Sequence, residues 1–412
     1  MEASFEIAQA VLSLETESAF DVLTRARRLE TRGRDVVHLE VGEPDFPTPG
    51  HIVEAGVRAL RGWATRYAPP AGLPELRAAI ADSMRDRGVV ATPEQVIVTS
   101  GAKPMLFYAL TALVTAGDEV LVPDPGFPIY RSVVTFAGGR PVGYPVTPAR
   151  PSGLDPGEIA RRITPRTRVL VLNSPHNPTG TAADGATLAA LADLVCRYDL
   201  VVVSDEIYSR LLYEGEHRSI AALPELAGRT VIVDGFSKAY AMTGWRLGYG
   251  VMPPALARYV ERLVINTTSC APPFVQLAGL AALEGPQDCV AAMRAELVAR
   301  RDLLVGRLNR VRGCTCAVPG GAFYAFPSFA PLLEELGLTA DLFAAALLDE
   351  FGLACLAGTA FGPGGGGHLR LSFAASAASL KQALELLETV AEPVARPEYA
   401  LRPARAGGEE GR

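Results

Sequence analysis

Between residues 96 and 252, short apolar runs alternate with amphipathic stretches. The runs at 95–99, 119–122, 140–145, 168–172, 200–204, 230–234 and 245–251 read as strands. Several are apolar at every position, as in Val169-Leu170-Val171-Leu172. A strand of that kind is covered on both faces. Helical periodicity fills the gaps, at 103–113 and 187–197 among others. Strand and helix in alternation predict an α/β fold with a mostly parallel seven-stranded sheet flanked by helices.

After Pro272 the pattern changes. Long helical segments run to about Arg312, one of them (291–310) rich in Ala, Glu and Arg. A strand signal follows at 320–326, a helix at 340–350, a strand at 353–356, a flexible glycine loop at 364–367, a strand at 368–373 and a helix at 379–390. This predicts a smaller α+β domain. The division expected is an N-terminal arm with part of the small domain at 1–48, a large domain at 49–290 and a small domain at 291–393. The remainder, 394–412, is rich in Pro, Arg, Gly and Glu and is expected to be disordered.

Composition sets the class. The chain has 412 residues, 49% of them hydrophobic and 20% charged, which is ordinary for a globular protein. A net charge of −6 argues against nucleic acid as a partner. No apolar run reaches the length of a membrane span, and the opening Met1-Glu2-Ala3-Ser4-Phe5-Glu6 is not a leader pattern, so a cytoplasmic setting is expected. Only Cys314 and Cys316 of the six cysteines lie close together, which is poor zinc spacing; reduced thiols and no metal are expected.

The chemistry gathers after the strands, where open α/β sheets place their ligands. Gly235-Phe236-Ser237-Lys238 follows the run at 230–234, and Arg246 comes eight positions after Lys238. A lysine there can form an imine with an aldehyde cofactor, and an arginine can hold its phosphate. Ser204-Asp205-Glu206-Ile207-Tyr208 ends another run. Asp205 can keep a pyridine nitrogen protonated or can cap a helix; beside Lys238 the first role is favoured. Tyr208 and Asn177 can bond a phenolic oxygen, while His176 reads either as a substrate contact or as a solvated loop residue. Thr99-Ser100-Gly101-Ala102 opens a helix and can present N–H groups to a phosphate. Phe127 can stack on a ring. Arg370 lies inside the apolar strand at 368–373 and fits a carboxylate, unless alternation turns it outward.

Together these motifs resemble the fold-type I (class I/II) aminotransferases dependent on pyridoxal 5'-phosphate, in particular the bacterial subgroup that includes aspartate aminotransferases. The resemblance spans residues 15 to 392 and includes Val41-Gly42-Glu43-Pro44-Asp45-Phe46 and Arg66-Tyr67-Ala68-Pro69-Pro70-Ala71-Gly72. It implies transfer of an amino group between an L-amino acid and a 2-oxo acid by a ping-pong mechanism. Lys238 would be the Schiff-base lysine, Asp205 the ring-nitrogen partner, and Asn177 and Tyr208 the phenolic-oxygen contacts. Gly101, Ala102, Ser237 and Arg246 would hold the phosphate. Tyr67 would reach the cofactor of the neighbouring subunit, making the unit a homodimer with shared sites. Gly42 and Arg370 would hold the α-carboxylate, with Phe127 stacked on the ring. Lys103 stands where some relatives meet a distal carboxylate. Glu17 and Phe20 depart from the small hydroxyl residues of the relatives' pocket-closing segment, so Lys103 reads either as a substrate contact or as the partner of Glu17. The same scaffold also supports β-lyases, synthases and amino-acid oxidases. A non-enzymatic regulator is the remaining alternative.

Overall fold

The computed structural model of the protein describes residues 5–14, 17–150 and 152–392. The tail expected at 394–412 lies outside these, as do Glu15 and Thr16 of the pocket-closing segment. Strands among the described residues are β1 (Val37–His38), β2 (Val96–Thr99), β3 (Glu119–Asp124), β4 (Arg140–Pro145), β5 (Thr167–Asn173), β6 (Val201–Asp205), β7 (Thr230–Gly235), β8 (Gly248–Val251), β9 (Tyr324–Ala325), β10 (Leu353–Ala354), β11 (Leu356–Ala357) and β12 (Leu369–Ser372). Seven of them form one sheet in the order β2-β8-β7-β6-β5-β3-β4. Only β8 runs against its neighbours.

Strict alternation explains why the strands read as continuous apolar runs. Val169 and Val171 of β5 join one core with Val203, Val231 and Val233. Leu170 and Leu172 of the same strand join another, with Leu121 and Val202. Both faces of the sheet are therefore roofed. Each such side chain contributes about 1.5–3 kcal/mol by leaving water.

The first helices are α1 (Gln9–Leu12), α2 (Ser18–Glu30), α3 (Gly50–Arg61), α4 (Pro74–Ser83) and α5 (Ala102–Leu113). Helix α3 packs against the helix Pro273–Glu284. A further core gathers Phe323, Phe329, Phe343, Leu369, Leu371 and Leu384 from the C-terminal part of the chain, and Tyr208, Leu211 and Tyr213 pack into it. The N-terminal segment joins this part: β1 pairs in parallel with β10, Val37 opposite Leu353. Strand β12 sits between β11 and β9. Among the described residues no helix is long and apolar enough to cross a membrane.

Four expectations need correction. The run at 245–251 is a strand only over Gly248–Val251, because Arg246 has φ +57 and breaks the extended path. The signal at 320–326 shrinks to Tyr324–Ala325 for the same reason at Ala322, also at φ +57. The run at 353–356 divides into β10 and β11, which join different sheets. The glycine run at 364–367 is docked rather than loose: the Gly364 N–H donates to Asp124 Oδ1 at 2.9 Å, and the Gly126 N–H donates to the Phe361 carbonyl at 2.7 Å.

Beneath the ends of β6 and β7 lies a buried ionic cluster. Arg87 Nη1 meets Glu206 Oε2 at 3.2 Å, and Nη2 donates to Asp234. Glu206 also accepts from Ser219 at 2.5 Å and Ser204 at 3.0 Å, and His217 Nε2 lies 3.1 Å from it. Burial alone would raise the Glu206 carboxyl, but His217, Arg87 and Ser219 outweigh it and hold the group at about 2. Removing one member of such a cluster strands the others without compensation. The substitution Arg87→Met is therefore expected to cost about 3–5 kcal/mol, read as a lowered midpoint of denaturant unfolding. An unchanged midpoint would show that Arg87 is not what holds the two acids.

Candidate active site

A cavity of about 450 Å³ opens at the carboxyl ends of the parallel strands. Asp205 reaches it from the end of β6, with Tyr208 from the turn beyond. Asn177 comes from the turn after β5 and Phe127 from the turn after β3. Ser237, Lys238 and Arg246 come from the connection between β7 and β8. Ala102 and Lys103 form the first turn of α5. Gly42 and Arg370 complete the wall from the segment after β1 and from β12. These residues span over three hundred positions of sequence; those from the seven-stranded sheet meet because β3, β5, β6 and β7 end at the same edge, and Gly42 and Arg370 join them from the smaller sheets.

Lys238 Nζ donates to the Gly42 carbonyl at 2.5 Å and lies 5.7 Å from the centre of the Phe323 ring. Burial of the amine disfavours its charge and lowers its pKa to about 8. Gly42 has no room for a side chain, since a Cβ would lie 1.9 Å from the Tyr324 hydroxyl. That hydroxyl is fixed by the Tyr208 hydroxyl at 2.7 Å.

Asp205 is buried and has no ion pair among the described residues. Burial pushes it up to about 6, against the hydrogen bond from the Tyr130 hydroxyl at 2.7 Å. Asn173 Nδ2 donates to the Asp205 carbonyl at 3.0 Å, and Asn173 Oδ1 accepts the Asn177 N–H at 2.9 Å. One amide thus locks the ends of two neighbouring strands. Tyr130, Asn173 and Tyr324 were given no role on sequence grounds. Tyr130 sits three residues after Phe127, Asn173 opens the turn that carries Asn177, and Tyr324 lies in a strand signal, so each was visible only as a neighbour of a motif.

At another wall, Arg246 lies against Gly101. A Cβ at Gly101, where φ is +101, would come within 2.5 Å of Arg246 Nη2. Gly101 does not line the cavity itself but leaves the space in which the guanidinium lies. Arg246 donates to the Thr243 carbonyl at 2.8 Å and has no carboxylate partner among the described residues. With the N-terminus of α5 and buried Ser237, this corner favours an anion.

Arg370 points inward. It is buried, 4.5 Å above the Tyr324 ring centre, and its Nη2 donates to the Glu40 carbonyl. Its Nη1 donates to Asn177 Oδ1 at 3.3 Å, leaving the Asn177 amide N–H groups to face elsewhere. Arg370 Nε is buried with no partner. A buried cation with an unused donor calls for an acceptor that the protein itself does not supply.

Three further residues need comment. Lys103 Nζ lies 2.5 Å from Glu17 Oε2. Tyr67 does not line the cavity and is 88% exposed. His176 is buried, bonds Thr179 Oγ1 at 2.8 Å and is held neutral by burial at about 3; it is neither solvated nor part of the cavity wall.

These features fit pyridoxal phosphate. An unpaired buried carboxylate suits a protonated ring nitrogen. A corner built from a helix N-terminus, Ser237 and Arg246 suits a phosphate, and a low-pKa amine suits an aldehyde. The unused Arg370 Nε suits the substrate carboxylate.

The comparisons agree with this chemistry. The family described as Aminotransferase class I and II matches residues 34–387. A probable aspartate/prephenate aminotransferase of Thermus aquaticus is 42% identical, covering 92% of this chain and 97% of its own. An arginine–pyruvate transaminase of Pseudomonas aeruginosa is 40% identical over 89% of this chain and 92% of its own. The solved structure of Thermus thermophilus aspartate aminotransferase with maleate superposes with a TM-score of 0.88 at 39% identity, covering 94% of this chain and all of that one. The chain belongs to the class I and II aminotransferases and is a pyridoxal-phosphate-dependent transaminase that exchanges amino groups between amino acids and 2-oxo acids.

Proposed function

We propose that Lys238 carries the reaction, with Asp205, Arg370 and Asn177 setting its geometry. The supporting observation is a lysine of lowered pKa in the same cavity as a buried, unpaired aspartate and a buried, under-used arginine. When bound, pyridoxal phosphate supplies an aldehyde to capture the amine and a ring to take up the electron pair from Cα. Lys238 anchors that group between turnovers. Freed by the incoming amino acid, its Nζ takes the Cα proton, and in the second half-reaction Nζ returns a proton to Cα. The Gly42 carbonyl holds Nζ in place beforehand.

Asp205 stays ionised opposite a positive ring nitrogen, and Tyr130 aims it by donating to Oδ2. Tyr208 and the Asn177 amide N–H groups face the phenolic oxygen, while Phe127 covers the ring. Gly101, Ala102, Ser237 and Arg246 receive the phosphate. Arg370 and Gly42 take the substrate α-carboxylate, which fixes Cα over Lys238. Tyr67, too exposed to act in its own cavity, serves the cavity of a second copy, so the working unit is a homodimer. In this reading residues 49–290 hold the cofactor. Residues 291–393, together with the segment 1–48, form the body that brings Arg370 to it, a reading supported by the pairing of β1 with β10.

Three outcomes follow. The sequence holds only three lysines, Lys103, Lys238 and Lys381, so attachment is easily mapped. Borohydride reduction of the holoenzyme followed by peptide mapping is expected to mark Lys238 alone, and Lys238→Ala to abolish turnover while the protein still binds the cofactor noncovalently; a mark on Lys103 or Lys381 refutes the assignment. In the cofactor-free protein, the neutral amine of Lys238 is expected to become available near pH 8, since burial favours the uncharged form. Reductive methylation followed across pH, with the Lys381 peptide as internal standard, reads this; reactivity that rises only near the ordinary lysine value of about 10.4 would contradict it. Finally, mixing inactive Tyr67→Ala and Arg370→Ala protomers is expected to recover part of the activity, because one site of each mixed dimer is intact. A fully active monomer, or no recovery, argues against shared sites.

A further inference from the structure

With Arg370 on the α-carboxylate and Lys238 under Cα, the substrate side chain has one wall left. That wall is made by Glu17, Ala19 and Phe20 at the start of α2 and by Lys103 and Leu106 of α5, with the Phe127 ring beside them. Among the described residues its charged groups are Lys103 and Glu17, and they are already joined, Nζ to Oε2 at 2.5 Å. Lys103 Nζ also lies 5.9 Å from the centre of the Phe20 ring and 5.5 Å from that of Phe127.

Helix capping does not explain Glu17. It occupies the N-cap position of α2, yet its side chain makes no hydrogen bond to the helix's own N–H groups. Ser, Thr, Asp and Asn fill that position well because their short side chains reach back. Here the carboxylate turns instead to the cavity and to Lys103. Of the two partners, Glu17 is the less exposed, at 25% against 43%.

We propose that Glu17 is a specificity-determining residue, an internal carboxylate that takes the place a substrate's distal carboxylate would occupy on Lys103, so that the enzyme selects amino acids with neutral, apolar or aromatic side chains. The proposal rests on the assignment of this cavity to transamination and deepens it. An acidic side chain must share one ammonium with Glu17, leaving two carboxylates against a single cation. A neutral side chain leaves the pair intact and packs on Phe20, Phe127 and Leu106. In ping-pong exchange donor and acceptor use the same wall in turn, so the preferred 2-oxo acid is neutral as well.

The test uses the holoenzyme and single half-reactions, followed by the change in cofactor absorbance so that no acceptor is needed. Wild type, Glu17→Gln and the double variant Glu17→Gln/Lys103→Met are compared on phenylalanine, leucine, aspartate and arginine. Wild type is expected to prefer phenylalanine and leucine. Glu17→Gln is expected to shift the aspartate-to-phenylalanine ratio of kcat/KM by about tenfold or more toward aspartate, and the added Lys103→Met to reverse that shift. Spectral titration with succinate, a dicarboxylate that cannot react, is expected to show tighter binding to Glu17→Gln than to wild type. A wild type that prefers aspartate or arginine overturns the proposal, as does a ratio that stays the same in Glu17→Gln. Absence of turnover with all four amino acids overturns the reading beneath it, and is told apart because it is a loss of rate and not of selectivity.

Discussion

Asp205, Lys238 and Arg370 converge on one cavity, and none has an opposite charge paired with it among the described residues. Burying a charge without a partner is costly, and a fold that does so at Asp205 and at Arg370, with half-buried Lys238 beside them, must have the cost offset from outside. Each is held in its position by neutral groups: Tyr130 for Asp205, the Gly42 carbonyl for Lys238, and the Glu40 carbonyl with Asn177 for Arg370. Neutral partners orient a charge without cancelling it. The site is left one cation short beside Asp205 and one anion short beside Arg370, and the cofactor ring and substrate carboxylate have the complementary charges.

The C-terminal body shares in the same arrangement. Arg370 belongs to β12, whose neighbours are β11 and β9, so its backbone is rigid. Tyr324 of β9 stacks under the guanidinium and bonds Tyr208 of the cofactor side. The same hydroxyl excludes any side chain at Gly42, which in turn brings the Gly42 carbonyl to Lys238. A single tyrosine thus ties together Arg370, Tyr208 and Lys238, the residues proposed for the substrate carboxylate, the phenolic oxygen and the imine. Its position is set by the packing of Phe323 and Tyr324, whose ring centres are 4.9 Å apart.

Much of this was legible in the sequence, and the limits have physical causes. The sheet could be read because both faces are covered and the strands are apolar throughout. Its ends could be read because charged or small residues follow each run. What misled was local backbone: Arg246 and Ala322 adopt positive φ for contacts that lie elsewhere in the chain, and nothing in an apolar run marks that. The supporting tyrosines were opaque for a related reason. Tyr324 meets Tyr208 across 116 positions and Tyr130 meets Asp205 across 75, so neither pairing leaves a spacing to detect. Lys103 and Glu17, 86 positions apart, could be set side by side only through the resemblance, and whether they touched was left open until the geometry was known.

The two acids at the end of β6 show how one strand serves two purposes. Asp205 is the last residue of β6 and Glu206 the first beyond it, and their side chains go to different places. Glu206 goes to the Arg87 cluster, where hydrogen bonds from His217 and Ser219 and the charge of Arg87 outweigh burial, and is held at about 2. Asp205 goes to the cavity, where no cation pairs with it among the described residues, and burial pushes it up to about 6, with Asp234 and Glu206 adding to the rise. A neutral Asp205 could not hold a ring nitrogen in its protonated state. A cation placed against Asp205 pulls its pKa down again, so in the proposed arrangement binding the protonated ring and ionising the carboxylate support each other.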